Sequence, residues 1–293
     1  IDMATGNRNW DITDLKLEHL QALLHPRNRI SCVTYNGALS DPIYSGTMTE
    51  QLEFINTLEI RPRVILSTNG SGRNEKWWKQ FSSLLRKQDW LQFSIDGLED
   101  TNHIYRVNAK WNSIMTGIKT VRENWNGSLW WRYVVFEHNY HQVEEAKNLA
   151  KKIGIDKFRI QRTRTLDPKL NIKEYDNPEW FQNIKVEYEE ALSPFCHTGD
   201  MHYIDAFGDY YPCCWWADHG TNTRWSPINI KDNNTENFKK YFANFTLENL
   251  SDYDTCPSVC KTFCKKIKNN DKPSTPTKYS SPMASTQRYL SIN

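Results

Sequence analysis

Along the first half of the chain, apolar positions switch repeatedly between helical and strand-like spacing. In "LKLEHLQALL" (15–24) the leucines recur at helical intervals, and "RISCVTY" (29–35) then reads as a buried strand. "MTEQLEFINTLE" returns to a helix, with Thr47 or Thr49 as its N-cap. The strand "RVILST" (63–68) is followed by a helix through "NEKWWKQFSSLLRK", and the strand "WLQFSI" (90–95) by a helix over roughly 110–123. "LWWRYVVF" (129–136) is the next strand, "HQVEEAKNLAKKIG" (141–154) a helix closed by Gly154, and "KFRIQR" (157–162) the last strand of the series.

Strands alternating with helices of this length predict βαβ units and a parallel sheet, an α/β fold. The five strands are too few for a closed eight-stranded barrel. An open or partial barrel fits the pattern better. Because the series opens on a helix, one strand is expected ahead of it, outside this chain. Between 163 and 195 the pattern gives way to a linker containing Pro and Asp, with one helix near 179–191. The predicted organisation is a barrel over 1–190, a Cys-rich extension over 191–270 and a polar Pro/Ser/Thr-rich tail over 271–293.

Composition narrows the function classes. The 293 residues carry a net charge of +2, which gives no bulk electrostatic argument for nucleic acid or an anionic membrane. No run approaches the length of a membrane span, and the start of the chain lacks the basic and apolar regions of a signal peptide. A cytoplasmic protein is expected. Of seven cysteines, six follow residue 195, unlike the even spread of a secreted disulfide framework.

In a parallel βα array, ligand-binding residues gather where strands end. Those turns read "NGALSDP" (36–42), "NGSG" (69–72) and "DGLEDTNHIYR" (96–106). Glycine-rich turns let backbone approach a ligand and present N–H groups to an anion, although each turn is also ordinary βα chemistry. Arg132 falls mid-strand between aromatics, and an inward-facing arginine there needs an anionic partner.

Taken together, "LSTNG" followed by "QFSIDGLEDTNHIYR" resembles the radical S-adenosylmethionine (radical SAM) superfamily. That family commonly carries Thr-Asn-Gly after one strand, Ser-x-Asp-Gly after the next and an arginine about ten residues on. "YNGALSDP" is similar to its Gly-Gly-Glu-Pro-like turn, with Asp41-Pro42 in place of Glu-Pro and Ser40 in place of the preceding glycine. The resemblance covers residues 29–162 and implies a partial (β/α)6 TIM-like barrel with S-adenosylmethionine lying across the strand ends. It would place Asn36, Gly37 and Asp41 at the methionine end, and Thr68 and Asn69 along the pocket. Ser94 and Asp96 would contact the carboxylate or ribose, and Arg106 would grip the carboxylate. The family's Cys-x3-Cys-x2-Cys loop, which holds the SAM-cleaving [4Fe–4S] cluster, has no counterpart here, and is expected in the full-length protein together with the missing first strand.

The cysteine-rich end has its own pattern. "HYIDAFGDYYPCCWW" (202–216) reads as a β-hairpin running into Cys213 and Cys214, within a Cys-x11-Gly-x4-Cys spacing that starts at Cys196. Cys256, Cys260 and Cys264 then recur every four residues. By spacing alone these thiols can hold an iron–sulfur cluster, a structural zinc or disulfides. The first part is similar to the opening of SPASM and twitch extensions. That resemblance implies an auxiliary [4Fe–4S] cluster on Cys196, Cys213, Cys260 and Cys264, with Cys256 and Cys214 as further candidates. The fuller cysteine run of a two-cluster SPASM domain is not present, so a single-cluster, twitch-like extension is expected.

The activity implied is reductive cleavage of S-adenosylmethionine to a 5′-deoxyadenosyl radical, which takes hydrogen from a peptide or small-molecule substrate. Electrons would come from a donor such as a flavodoxin or ferredoxin. This chain alone would be inactive without the first cluster loop. The rival reading is a non-catalytic barrel with a structural iron–sulfur or zinc site, acting as a binding or scaffold protein.

Overall fold

The structure, a computed structural model, describes residues 14–26, 30–36, 41–163 and 171–183, and the backbone of short strands at 201–204, 209–211, 228–229 and 288–292. Chain contacts divide the protein into two units. One holds residues 35–58 and 63–189, the other 1–34, 59–62 and 190–293.

The first unit carries the βα series. β1 (Ile30–Asn36) enters it with its last residues, Tyr35 and Asn36. Then come α2 (Met48–Thr57), β2 (Arg63–Thr68), α3 (Glu75–Leu84), β3 (Trp90–Ser94), α4 (Asn102–Tyr105), α5 (Trp111–Asn124), β4 (Ser128–Val135), α6 (Val143–Lys152) and β5 (Lys157–Arg162). A final helix, α7 (Pro178–Asn183), follows. β2, β3, β4 and β5 pair in parallel in that order, with Ser67 opposite Gln92, Gln92 opposite Trp130 and Trp130 opposite Lys157.

Alternation along each strand explains the layering. Val64 and Leu66 of β2, Leu91 and Phe93 of β3, and Leu129, Trp131 and Tyr133 of β4 are buried on one face. There they meet the apolar sides of α3 and α5: Trp78 lies 5.5 Å from Phe93, centroid to centroid. Gly117 lets α5 approach α3 closely, because a Cβ there would sit 2.7 Å from Trp78 Nε1. Trp131 and Tyr133 keep their polar ends satisfied. Trp131 Nε1 donates to the Ile95 carbonyl at 2.8 Å, and the Tyr133 hydroxyl donates to the Asn139 carbonyl at 2.8 Å.

Two carboxylates lock the N-terminal ends of the strands. Asp89, just before β3, accepts the Val64 N–H of β2 at 2.8 Å and the Arg86 N–H at 2.7 Å. Asp156, just before β5, accepts the Leu129 N–H of β4 at 2.7 Å. Each acid therefore ties the start of the preceding strand to the turn that leads into the next.

Sequence expectation and structure differ in detail. Thr47 stands at the N-cap of α2 but makes no capping bond; its Oγ1 instead accepts from Gln51 Nε2 at 2.9 Å. The helix expected from 141 opens with a 3₁₀ turn (Tyr140–Gln142) before α6 begins, and Gly154 closes it at φ 83°. The four-residue α4 lies inside "DGLEDTNHIYR", where composition suggested only loop.

The second unit contains α1 (Leu17–Leu23) and the first part of β1. It also holds β6 (Met201–Ile204), β7 (Asp209–Tyr211), β8 (Ile228–Asn229) and β9 (Arg288–Ile292). β6 and β7 pair antiparallel with Tyr203 opposite Tyr211, β8 joins β7 antiparallel, and β9 runs parallel to β6. Cys196, Cys213, Cys214, Cys256, Cys260 and Cys264 lie outside the described residues, as does Gly37.

Candidate functional site

At the C-terminal ends of the strands, side chains tie the loop after β1 to the loop after β2 and build the loop after β3 separately. Asp41 caps the 3₁₀ turn Pro42–Tyr44 by accepting the Ile43 N–H at 3.2 Å with Oδ1, while its Oδ2 accepts the Asn69 N–H at 2.5 Å. One carboxylate thus spans the loop after β1 and the loop after β2. Burial pushes its pKa above the ordinary carboxylate value, against the opposing pull of the Asn69 N–H, Thr68, the Ile43 N–H and the nearby Arg106 charge.

The Thr68-Asn69-Gly70 turn is held by its own side chains. Thr68 Oγ1 accepts the Gly70 N–H at 2.9 Å, and Asn69 Oδ1 accepts the Ser71 N–H at 2.8 Å. Gly70 has φ 76°, and a Cβ there would stand 2.6 Å from the Phe93 ring, so glycine is required by both conformation and space.

The loop after β3 is built around Asp96, which is fully buried. Its Oδ1 accepts the Val134 N–H at 2.6 Å and its Oδ2 pairs with Arg106 Nε at 2.5 Å. Its own N–H donates to Asn102 Oδ1 at 2.8 Å, and its carbonyl accepts from Asn139 Nδ2 at 2.9 Å. Asn139 also donates to the Val134 carbonyl at 3.0 Å and accepts the Phe136 N–H at 2.7 Å. Thr101 and Gln142 complete the lattice: Thr101 Oγ1 bonds Gln142 Oε1 and accepts the Leu98 N–H at 3.1 Å. The Asp96 charge helps raise the pKa of the buried Tyr133 phenol, after burial itself. Burial lowers that of His138, whose ring stacks on Phe136 at 5.3 Å.

Arg106 is one-quarter exposed, its guanidinium held by Asp96 and lying 5.0 Å over the Tyr105 ring. Asp41, Thr68 and Asn69 are therefore one linked group and Asp96 with Arg106 another. Ser94, buried at the end of β3, is in register with Arg132.

On the inner face of the strands lies a cavity of about 390 Å³, lined by Asn36, Ile65, Ser67, Trp90, Gln92, Tyr105, Trp130, Arg132, Val134, Arg159, Gln161, Arg162 and Thr163. The sequence reading singled out Asn36 and Arg132 but missed Gln92, Arg159 and Gln161. The signal was present in "WLQFS" and "KFRIQR", where polar side chains alternate with apolar ones at period two.

No protein-family model and no curated protein sequence matches the chain. Among solved structures, native anSMEcpe with bound AdoMet (S-adenosylmethionine) is 14% identical over 83% of this chain and 76% of that chain, with a TM-score of 0.52. Native anSMEcpe with bound AdoMet and Cp18Cys peptide is 14% identical over 81% of this chain and 76% of that one, with a TM-score of 0.50. The chain shares its fold with anSMEcpe. TYW1 with a lysine-pyruvate adduct bound is 12% identical over 46% of this chain and 42% of that one, at a TM-score of 0.36, a likeness too slight to bear on the fold. In this fold the parallel strands β2–β5 turn their C-terminal ends, and with them Thr68, Ser94 and Asp96, toward one rim. Among the described residues, no helix is long and apolar enough to cross a membrane.

Proposed function

We propose that this protein belongs to a radical SAM enzyme and that its βα unit binds S-adenosylmethionine at the strand ends. The observation that carries the reading is the pair of opposite charges at the rim, Asp41 and Arg106, on a fold shared with anSMEcpe solved with bound AdoMet. The donor set fits the amino-acid end of that molecule. A buried carboxylate suits its ammonium, and the remaining guanidinium nitrogens of Arg106 suit its carboxylate. Asn36, Gly37, Thr68, Asn69 and Ser94 are assigned to the same pocket, and Asp96 is assigned to aim Arg106. S-adenosylmethionine held there would, on taking one electron from a reduced [4Fe–4S] cluster, release methionine and supply a 5′-deoxyadenosyl radical for hydrogen abstraction. The chain's residues bind and orient it and exclude water.

The chain contains no Cys-x3-Cys-x2-Cys run, so the complete reaction needs a segment that bears one. Cys196, Cys213, Cys256, Cys260 and Cys264 are proposed as the source of ligands for an auxiliary [4Fe–4S] cluster. A peptide substrate is supported by anSMEcpe having been solved with Cp18Cys peptide, and a small reducing protein is proposed as electron donor.

Titrating the chain with S-adenosylmethionine by calorimetry tests the site. Arg106→Lys keeps a cation beside Asp96 while removing the planar fork, and should weaken binding about tenfold. The pH dependence has a definite sign. Because burial raises the Asp41 pKa, its carboxyl stays neutral to higher pH than a solvated one, and a ligand ammonium binds the ionised form. Affinity should therefore rise as pH increases through that raised value, and Asp41→Asn should flatten the profile. The same shift makes native stability fall as pH climbs from 3.8 through the folded value, because the folded state holds the proton longer. A folded wild-type chain that binds no S-adenosylmethionine would sink the reading.

The auxiliary cluster has a separate test. Anaerobic reconstitution should load iron and sulfide in equal amounts, and Cys260→Ala with Cys264→Ala should abolish both. Stoichiometric zinc without sulfide would remove the cluster assignment.

A further inference from the structure

The charged groups of the cavity on the inner face of the strands are already engaged. Among its described lining residues the only ionic side chains are Arg132, Arg159 and Arg162, and each has an interaction partner within the molecule. Arg162, for one, meets Asp176 at 3.9 Å and lies 4.0 Å over the Phe181 ring. An anion entering here would have to draw a guanidinium off its partner, and a cation would face three like charges. Neutral hydrogen-bonding groups are what remain. Gln161, Thr163 and the Tyr105 hydroxyl line the cavity, and among the described residues their side chains have no hydrogen-bond partner. Gln92 Nε2 donates to Ser67 Oγ at 3.2 Å, which leaves its Oε1 as a further acceptor.

The free groups gather at one end. Gln161 stands opposite Val134 near the C-terminal ends of β5 and β4, Thr163 follows the last residue of β5, and Tyr105 ends α4 in the loop after β3. At the other end Trp90 and Trp130 stack at 5.0 Å, with Arg63 and Lys157 over their outer faces. The Tyr105 ring has Arg106 over it at 5.0 Å and Phe136 beside it at 4.5 Å. These rings offer edges rather than bare faces, which disfavours a sugar ring seeking an aromatic platform.

We propose that this cavity binds an uncharged carboxamide, held at its rim end by Gln161, Thr163 and Tyr105. An amide has a donor and an acceptor but no charge; Gln161 answers with both, and the two hydroxyls give or accept as required. The amide comes from a peptide bond or from an Asn- or Gln-like side chain. Calling it part of a substrate rests on the radical SAM reading; the amide site itself rests only on the cavity. It stands apart from Asp41 and Arg106, which are assigned to the amino-acid end of S-adenosylmethionine.

The test follows the Gln161 side-chain amide by NMR in the isotopically labelled full chain, its signal assigned by its loss in Gln161→Leu. N-acetylalanine methylamide presents peptide bonds alone, butyramide a primary carboxamide, butyrate the matching anion and methyl glucoside a sugar ring. At least one amide should shift the signal with a dissociation constant in the millimolar range, and the tighter of the two identifies the source. Butyrate and methyl glucoside should bind at least about tenfold more weakly than that amide. Ligand line broadening gives affinities in the variants. Gln161→Leu should weaken amide binding about tenfold, and Thr163→Val and Tyr105→Phe about threefold to tenfold, each change removing a hydrogen-bonding group and keeping the shape. Lys119→Gln, at an exposed lysine, should match wild type.

Failure of both amides to bind, or equal affinity across all variants, overturns the proposal. So does butyrate or methyl glucoside binding as tightly as the better amide, or displacement of the amide by S-adenosylmethionine. Gln161-dependent amide binding by a chain that ignores S-adenosylmethionine would uphold the amide site while the radical SAM reading fell.

Discussion

Replacing Asp96 with alanine should cost about 3–5 kcal/mol of folding stability, read as a lowered urea midpoint with little change in slope. The carboxylate is fully buried and joins two separate segments, the Val134 backbone and the Arg106 guanidinium. Alanine leaves a buried N–H without its acceptor and a partly buried cation without its counter-ion. Asp96→Asn keeps the shape and an acceptor for Val134 but loses the charge, so its smaller loss would isolate the ionic part. A loss below about 1 kcal/mol in the alanine variant would show that water replaces the carboxylate, and that the loop is not built around it.

Asn139→Ala should be nearly as damaging, at about 3 kcal/mol or more, because one side chain serves three buried backbone groups. These are the carbonyls of Asp96 and Val134 and the N–H of Phe136. Asp96 and Asn139 grip the same stretch from opposite sides, so the double variant should lose less than the sum of the two. A coupling of about 0.5–3 kcal/mol is expected in a double-mutant cycle. Additive losses would mean that the two side chains stabilise their loops independently.

The βα alternation was legible because each strand of the series is a short run, apolar throughout or alternating apolar with polar, set between turn residues, and each helix shows its period. The missed elements are those whose geometry comes from side-chain bonds rather than hydrophobic period. α4 exists because Asn102, Thr101 and Arg106 each answer a partner elsewhere in the loop, and no periodicity announces that. The motif "DGLEDTNHIYR" pointed to the right loop, yet only the coordinates show Asp96 bonded to Val134 and Arg106 at once. The cavity residues Gln92, Arg159 and Gln161 were obscured by the apolar neighbours that make these segments strands at all. Their facing became visible only when the register placed them beside Ser67 and Arg132.

The carboxylates Asp89 and Asp156 carry a consequence for how such a βα fold can diverge. Each reaches back from the turn to the amide of the second residue of the preceding strand. Adding or deleting one residue there would swing the carboxylate away from that amide and leave a buried N–H unanswered. At these two junctions the N-terminal ends of the strands are intolerant of changes in length. At the opposite rim, insertions can be accommodated only outside the segments that Asp41, Asp96 and Asn139 tie to backbone amides and carbonyls.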